Sequence, residues 1–257
     1  VSNCLIGHTG FVGSNLLRQI SFDAFYNSSN ITAIKERNFD LVVCAGVSAV
    51  KWKANQNPEE DLANINVLIN NLKEIEANYF ILISTVDVYK NPVNVNEDTV
   101  IDPEQVDPYG RHRYYVEKFI KEKFNNHLII RLPALFGSGL KKNFIYDLIH
   151  NNCLHLTHCE SAFQFYNLDN LWQDTQIAIK NSLSLVNFVT EPVMAKEIAS
   201  YCLGVDFTNI TDKPPVYYDM RSKYCRLFGA DPDYMYSKKE TLEQLKNYIT
   251  KAKEEIK

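Results

Sequence analysis

The stretch VSNCLIGHTGFVG, residues 1–13, decides how the rest of the chain is read. Its first half is a short apolar run ending in glycine, the pattern of a buried parallel strand. Its second half opens FVGSNLLRQI (11–20), where Phe11, Leu16, Leu17 and Ile20 repeat at helical spacing. Gly7, Gly10 and Gly13 fall at the join. Glycine there permits a tight turn, lets the backbone approach a pyrophosphate and lets the helix pack close to the strand, with the helix N-terminus facing the anion. The spacing takes that meaning from its place, directly after a strand and opening a helix.

Working outward, FDLVVCAG (39–46) and YFILIST (79–85) are further continuous apolar runs. Between them DLANINVLINNLKEIEA (61–77) carries Leu62, Ile65, Leu68, Leu72 and Ile75 at helical spacing, and Pro58, Glu59, Glu60 and Asp61 mark the helix start. HLIIRLPALFG (127–137) is a fourth run, broken by Pro133. Strands alternating with helices predict an α/β fold with a doubly wound parallel sheet, which binds ligands at the carboxyl ends of its strands. GHTGFVG, CAGV, STVDVY and RLPALFG all lie at such ends. The second strand is expected within FDAFYN (22–27), and no Asp or Glu stands near Asn27 to hold a free ribose 2′-hydroxyl. Ser28, Ser29, Asn30 and Arg37 suit a 2′-phosphate instead, or these residues form a compact turn.

A chain of 257 residues, 46% hydrophobic, can bury one large core or a core and a smaller lobe. Its 27 basic and 31 acidic residues are well mixed, so no broad cationic face awaits a nucleic acid. No apolar run reaches the roughly 18 residues of a membrane span and no signal peptide opens the sequence, so a cytoplasmic protein is expected. The six cysteines are scattered, with Cys4 and Cys44 inside apolar runs, and imply no disulfide framework. HNNCLHLTHCE (150–160) crowds His150, Cys153, His155, His158 and Cys159 together, but the spacing follows no common zinc pattern and no metal is expected. In KWKANQNP (51–58), Lys51, Trp52 and Lys53 either edge the site or form a surface loop with one packed tryptophan.

Taken in order, these motifs resemble the extended short-chain dehydrogenase/reductase family, the NAD(P)-dependent epimerases, dehydratases and reductases that mostly act on nucleotide sugars. GHTGFVGSNL resembles its glycine-rich turn, CAGV its small-residue strand end, Asn66-Val67 a pair in its fourth helix, ISTVDVY its Ser/Thr strand and DPYGRHRYYVEK its Tyr-Gly-x-Ser-Lys helix. RLPALFG, QFYNLDNLWQD and LVNFVTEPVMAKEIASYC are similar to later segments. The resemblance implies a Rossmann-type domain over 1–137 and a substrate lobe over 138–257, with about 184–202 returning to the main sheet. It also implies a homodimer through the helices starting near Pro58 and Tyr109, and NADP or NAD as cofactor, inclining to NADP. Cofactor contacts are expected at Gly7, Thr9, Gly10, Phe11, Val12, Gly13, Asn27, Ala45, Gly46, Val47, Asn66, Arg113, Pro133 and Leu135. A nucleotide-activated or related sugar is expected at Asp87, Lys141, Lys142, Asn143 and Gln164; the two lysines fit a solvated turn equally well.

The same resemblance separates the tyrosines. Tyr109, flanked by Pro108 and Gly110 and followed by Val116-Glu117, matches the catalytic tyrosine, and Thr85 the catalytic Ser/Thr. Tyr114 and Lys118 form a literal YxxxK out of register. A free phenol titrates near 10, so the chemistry requires a nearby cation. One helical turn on, the family's lysine is here Arg113, which keeps the charge and can bond ribose hydroxyls but does not release a proton. Val86 replaces the first of two acids found in members that eliminate water, which disfavours a 4,6-dehydratase. In an extended strand Thr85 and Asp87 point the same way, so Asp87 touches substrate or Tyr109, or else binds a backbone amide. The expected activity is an NAD(P)-dependent keto-reductase or epimerase, the alternative a dinucleotide-binding protein with little turnover.

Overall fold

In the computed structural model, which describes residues 2–229 and 233–256, the apolar runs become the strands of one sheet. The chain forms two compact units, the first comprising Val1–Asn91, Thr99–Leu132 and Leu171–Val186, the second Pro92–Asp98, Pro133–Asn170 and Asn187–Lys257. The break at Leu132 lies five residues before the boundary expected at 137; Pro133 withdraws a backbone donor and ends the strand there. Leu171–Val186 returns to the first unit, and the strand Leu185–Asn187 joins the main sheet within the stretch expected to return to it.

In chain order the first unit holds β1 (Asn3–Ile6), α1 (Phe11–Leu16), β2 (Ala24–Tyr26), β3 (Asn38–Cys44), α2 (Lys51–Gln56), α3 (Pro58–Leu72) and β4 (Glu76–Thr85). An excursion, β5 (Val93–Val95), belongs to the second unit; α4 (Pro108–Lys123) and β6 (His127–Leu132) resume the first. The second unit continues with β7 (Ala134–Phe136), α5 (Phe144–His150), β8 (Ala162–Phe163) and β9 (Phe165–Asn167). After α6 (Leu171–Lys180) and β10 (Leu185–Asn187) close the first, β11 (Val193–Met194), α7 (Ala195–Leu203), β12 (Asp219–Met220) and α8 (Lys238–Ile256) complete the second.

The sheet of the first unit runs β10-β6-β4-β3-β1-β2, with β2, β1, β3, β4 and β6 paired in parallel. Strand order reverses between β1 and β3, which opens a crevice at their carboxyl ends. Val42, Phe80, Leu82 and Ile129 pack with Ile65, Ile69 and Leu72 of α3 and Val116 and Ile120 of α4 into one core. Two helices are shorter than their periodicity. In α1, Arg18 and Gln19 bond back only three residues, so regular helix ends at Leu16. α3 ends at Leu72, and Ile75 is instead buried in the turn into β4.

The second unit pairs β7 with β9, β8 with β11 and β5 with β12. Its core joins Phe136, Phe144, Ile145, Phe165, Val193 and Ile198 to Leu242, Leu245 and Ile249 of α8.

Candidate active site

The glycine turn lies between β1 and α1. Gly7 has φ +86°, and a Cβ there would stand 2.4 Å from the Ala45 carbonyl oxygen; at Gly13 it would stand 2.2 Å from the Gly7 oxygen. Only glycine fits either place. The Gly7 amide donates to the Tyr26 carbonyl at 2.7 Å and that of Gly10 to Gly7 at 3.0 Å. Thr9 and Gly10 are exposed, Phe11 and Val12 half-buried, and no side chain caps α1. Open first-turn amides above a turn that excludes Cβ atoms fit the pyrophosphate of a dinucleotide. Ala45, Gly46 and Val47 follow β3 beside it; a Cβ on Gly46 would press on Ile6 at 2.9 Å. Asn66 lies half-buried on α3.

At the end of β2 the compact turn is realised. Asn27 Oδ1 accepts from the Ser29 amide at 2.9 Å and hydroxyl at 2.6 Å, while Asn30 Oδ1 accepts from the Asn27 amide at 2.7 Å. Ser29 and Asn30 are thus engaged within the turn. Arg37 has to be removed from the phosphate candidates. It immediately precedes β3, at the amino end of the sheet, because the segment after β2 is a single turn of 3-10 helix (Ile31–Ile34) and β3 starts at Asn38.

Thr85 ends β4, and the chain turns at once through a 3-10 turn, Val86–Val88. Thr85 and Asp87 therefore meet by capping and not, as the extended-strand reading has it, by sharing a strand face. The Asp87 amide donates to Thr85 Oγ1 at 3.1 Å, and the Thr85 hydroxyl donates to Asp87 Oδ2 at 3.3 Å. The first turn of α4 packs on this segment: a Cβ on Gly110 would stand 2.0 Å from the Asp87 carbonyl oxygen. That contact delivers Tyr109 to the end of β4. Tyr109 is buried, and its amide donates to Asn55 Oδ1 of α2 at 2.9 Å. From the start of α2, Lys51 Nζ reaches Asp87 Oδ1 at 2.6 Å. Burial pushes the Tyr109 phenol above its ordinary pKa; Arg113 and Lys51 pull it down, while Asp87 and Asp61 push it up.

Arg113 is not presented to the crevice as an open clamp. It is 4% exposed and grips Asp61 of α3 through Nη1 at 2.5 Å and Nη2 at 3.0 Å, with further bonds to the Tyr109 and Ser48 carbonyls. His112 Nδ1 adds a contact to Asp61 Oδ2 at 2.8 Å. Burial raises the Asp61 pKa, but the bonds from Arg113 and His112 outweigh it and hold the carboxyl below its usual range. The guanidinium lies over the face of Tyr109, 4.0 Å from the ring centroid. Tyr114 and Lys118 form a separate cation–π pair at 5.4 Å.

Behind the site, Arg131 of β6 binds Glu117 of α4 through Nε at 2.9 Å and Nη2 at 2.6 Å. Glu117 also accepts from the Ser84 hydroxyl at 2.6 Å, and Arg131 donates to the Tyr89 hydroxyl at 2.7 Å. This buried group fixes α4, which carries Tyr109, against β4, which ends at Thr85. Asp61 carries its role without a matching motif and reads in sequence merely as an acid suited to a helix start; Lys51 takes the site-edge alternative of its segment, and Glu117, which in sequence only marks the register of Tyr109, proves to be an ion-pair partner.

In the second unit, Gln164 is 1% exposed and spends its amide on the Thr190 and Met220 carbonyls and the Met220 N–H, a fixing role and not that of an open substrate contact. Asn143 caps α5 through Oδ1 and donates to the Leu135 carbonyl at 2.8 Å. Lys141 and Lys142 are exposed, and Pro133 and Leu135 half-buried. In the His/Cys-rich segment, His150 packs on Tyr146 and His158 accepts from the Glu160 amide. Among the described residues no group of three His, Cys, Asp or Glu is placed to hold a metal, and no helix is long and apolar enough to cross a membrane.

The sequence model of the NAD dependent epimerase/dehydratase family matches residues 20–160, more than half of the chain. No curated protein matches. Solved structures share the fold at low identity. A dTDP-4-dehydrorhamnose reductase from Clostridium acetobutylicum is 18% identical, with 97% of this chain and 99% of that one covered and a TM-score of 0.74. RMD from Pseudomonas aeruginosa, complexed with NADPH, is 14% identical over 99% and 100%, with a TM-score of 0.75. A UDP-glucose 4-epimerase from Thermotoga maritima, with UDP-glucose, is 16% identical over 100% of both, with a TM-score of 0.70.

Proposed function

The chain belongs to the NAD dependent epimerase/dehydratase family, and we propose that within it the protein is an NAD(P)-dependent keto-reductase or epimerase of a nucleotide-activated sugar. The observation that supports this most is the seating of Gly110, the residue after Tyr109, on the carbonyl of Asp87, two residues beyond Thr85 at the carboxyl end of the sheet. A bound dihydronicotinamide supplies the hydride. Gly7, Gly10 and Gly13 with the first-turn amides of α1 would hold its pyrophosphate, and the lack of an acid at Asn27 favours NADP. Tyr109 rests as the neutral phenol, because burial raises its pKa. A protonated phenol gives its proton to a carbonyl oxygen as the carbon is reduced, so the reductive direction is the better match. Thr85 turns its hydroxyl from Asp87 to the same oxygen. The exposed Val67 of α3 and Tyr115 of α4 suit the pairing of two copies through these helices.

One observation favours a rival, a dinucleotide-binding protein without turnover: Arg113 is committed to Asp61. The experiment that separates them is calorimetric titration with NADPH and NADH, followed by NADPH oxidation across a panel of nucleotide keto-sugars. The enzyme reading expects micromolar binding and a turnover that Tyr109→Phe abolishes with little loss of cofactor affinity. Retained turnover in Tyr109→Phe would sink it.

A further inference from the structure

We propose that Lys51, at the start of α2, is the cation against which Tyr109 exchanges its proton, the role that a lysine on α4 in place of Arg113 would have; the proposal rests on the catalytic reading of Tyr109.

A buried phenol releases its proton only if a positive group stabilises the phenolate. Two cations stand near Tyr109, and two carboxylates oppose them. Arg113 is 4% exposed, and both oxygens of Asp61 neutralise it within the pair. Its guanidinium covers the ring face at 4.0 Å, where its charge favours the phenolate, but a guanidinium has no proton to yield at neutral pH. Lys51 differs on each count. Its side chain is 45% exposed, its partner Asp87 is 27% exposed, and an ammonium on a four-carbon stem can change partners. Lys53, two residues on, is paired with Glu60 at 2.7 Å.

Three contacts fasten the segments that carry Lys51 and Tyr109 to one another. Asn55, on the same short helix, accepts the Tyr109 amide proton at 2.9 Å. Asp87, which holds the ammonium at 2.6 Å, is itself bonded to Thr85 at 3.3 Å. The Asp87 carbonyl is the surface on which Gly110, the residue after Tyr109, is seated. α2 is thus fastened to the backbone of Tyr109 through Asn55 and to the neighbouring carboxylate through Lys51. When the Tyr109 proton passes to the substrate oxygen, the Lys51 ammonium held on Asp87 stabilises the phenolate that forms. One proton then moves from Lys51 Nζ to Tyr109 Oη, and Lys51 recovers one from water. Asp87 holds the ammonium between turnovers and keeps the phenol protonated until substrate arrives.

The test places difluorotyrosine at position 109 of the full chain and follows its fluorine resonance against pH, since this phenol ionises several units below tyrosine and within the range of folded protein. Lys51→Met is expected to raise the midpoint by about one unit and Asp87→Asn to lower it by about as much, the size of shift a neighbouring charge produces. Lys51→Arg, which keeps the charge, is expected to stay within about three tenths of a unit of the parent. A Lys51→Met midpoint equal to the parent's overturns the proposal. Failure of the underlying reading shows separately, as a parent protein that binds neither NADPH nor NADH by calorimetry.

Discussion

Replacing Glu117 by Gln removes one charge from the buried group behind the site and changes almost nothing in shape. Glu117 is 0% and Arg131 2% exposed, and their two bonds at 2.6 and 2.9 Å are charge-assisted. Neutralising Glu117 leaves a guanidinium in the core with no counter-charge, which costs about 3–5 kcal/mol. That is a large part of the roughly 5–15 kcal/mol that holds a typical domain folded. With a urea slope of about 2–3 kcal/mol/M, the unfolding midpoint followed by circular dichroism should fall by about 1–2 M. Arg131→Met with Glu117→Leu removes both charges and should recover most of the loss, because an apolar pair of similar volume is often as stable as a buried ion pair. A single variant within about 0.3 M of the parent, or a double variant worse than the single one, would refute the reasoning that this pair fixes α4 on β4.

The remaining expectations concern the turn and Arg113. Gly13→Ala places a Cβ 2.2 Å from the Gly7 carbonyl oxygen, a backbone atom that cannot step aside; stability should fall by about 2 kcal/mol and calorimetry should show NADPH binding weakened at least tenfold. Asp61 has a lowered folded pKa, so its contribution is complete above its unfolded value near 4 and is lost as pH falls through the folded value. Asp61→Asn should therefore be less stable at neutral pH and show a flatter acid limb in thermal melts run from pH 7 downward. Arg113→Lys looks like a restoration but should cost about 1–2 kcal/mol in urea unfolding without raising turnover, since one ammonium cannot reproduce the forked grip on Asp61 and the bond to Ser48.

What the sequence discloses is what local pattern can encode. The glycines at 7, 10 and 13 report a backbone constraint that no other residue meets, and the runs ending at Cys44, Thr85 and Leu132 report strands buried on both faces. β2, three residues long, leaves a weaker trace, so the segment after it lends Arg37 a place near the cofactor that the topology denies. The pairings that matter most are the least legible. An acid in the first turn of a helix, as at Asp61, is accounted for by the helix dipole whether or not it later meets Arg113. Gln164 reads as an open amide because nothing nearby in sequence announces Thr190 or Met220, which consume it.

The four charges around Tyr109 give the site a resting state. Lys51 and Arg113 are matched by Asp87 and Asp61, so the local field nearly cancels and burial decides the phenol, leaving it protonated. The two pairs are unequal in freedom. The Arg113 pair is sealed in the core, and a substrate cannot alter it without unpairing a buried charge, which would cost several kcal/mol. The Lys51 pair is half open, and exposed pairs of this kind are worth at most about 1 kcal/mol. A substrate that draws Thr85 or Asp87 toward itself can therefore shift Lys51 at little expense. The arginine at 113 then need not mark the loss of catalysis: it makes one cation structural and leaves the weaker pair as the place where binding can change the acidity of Tyr109.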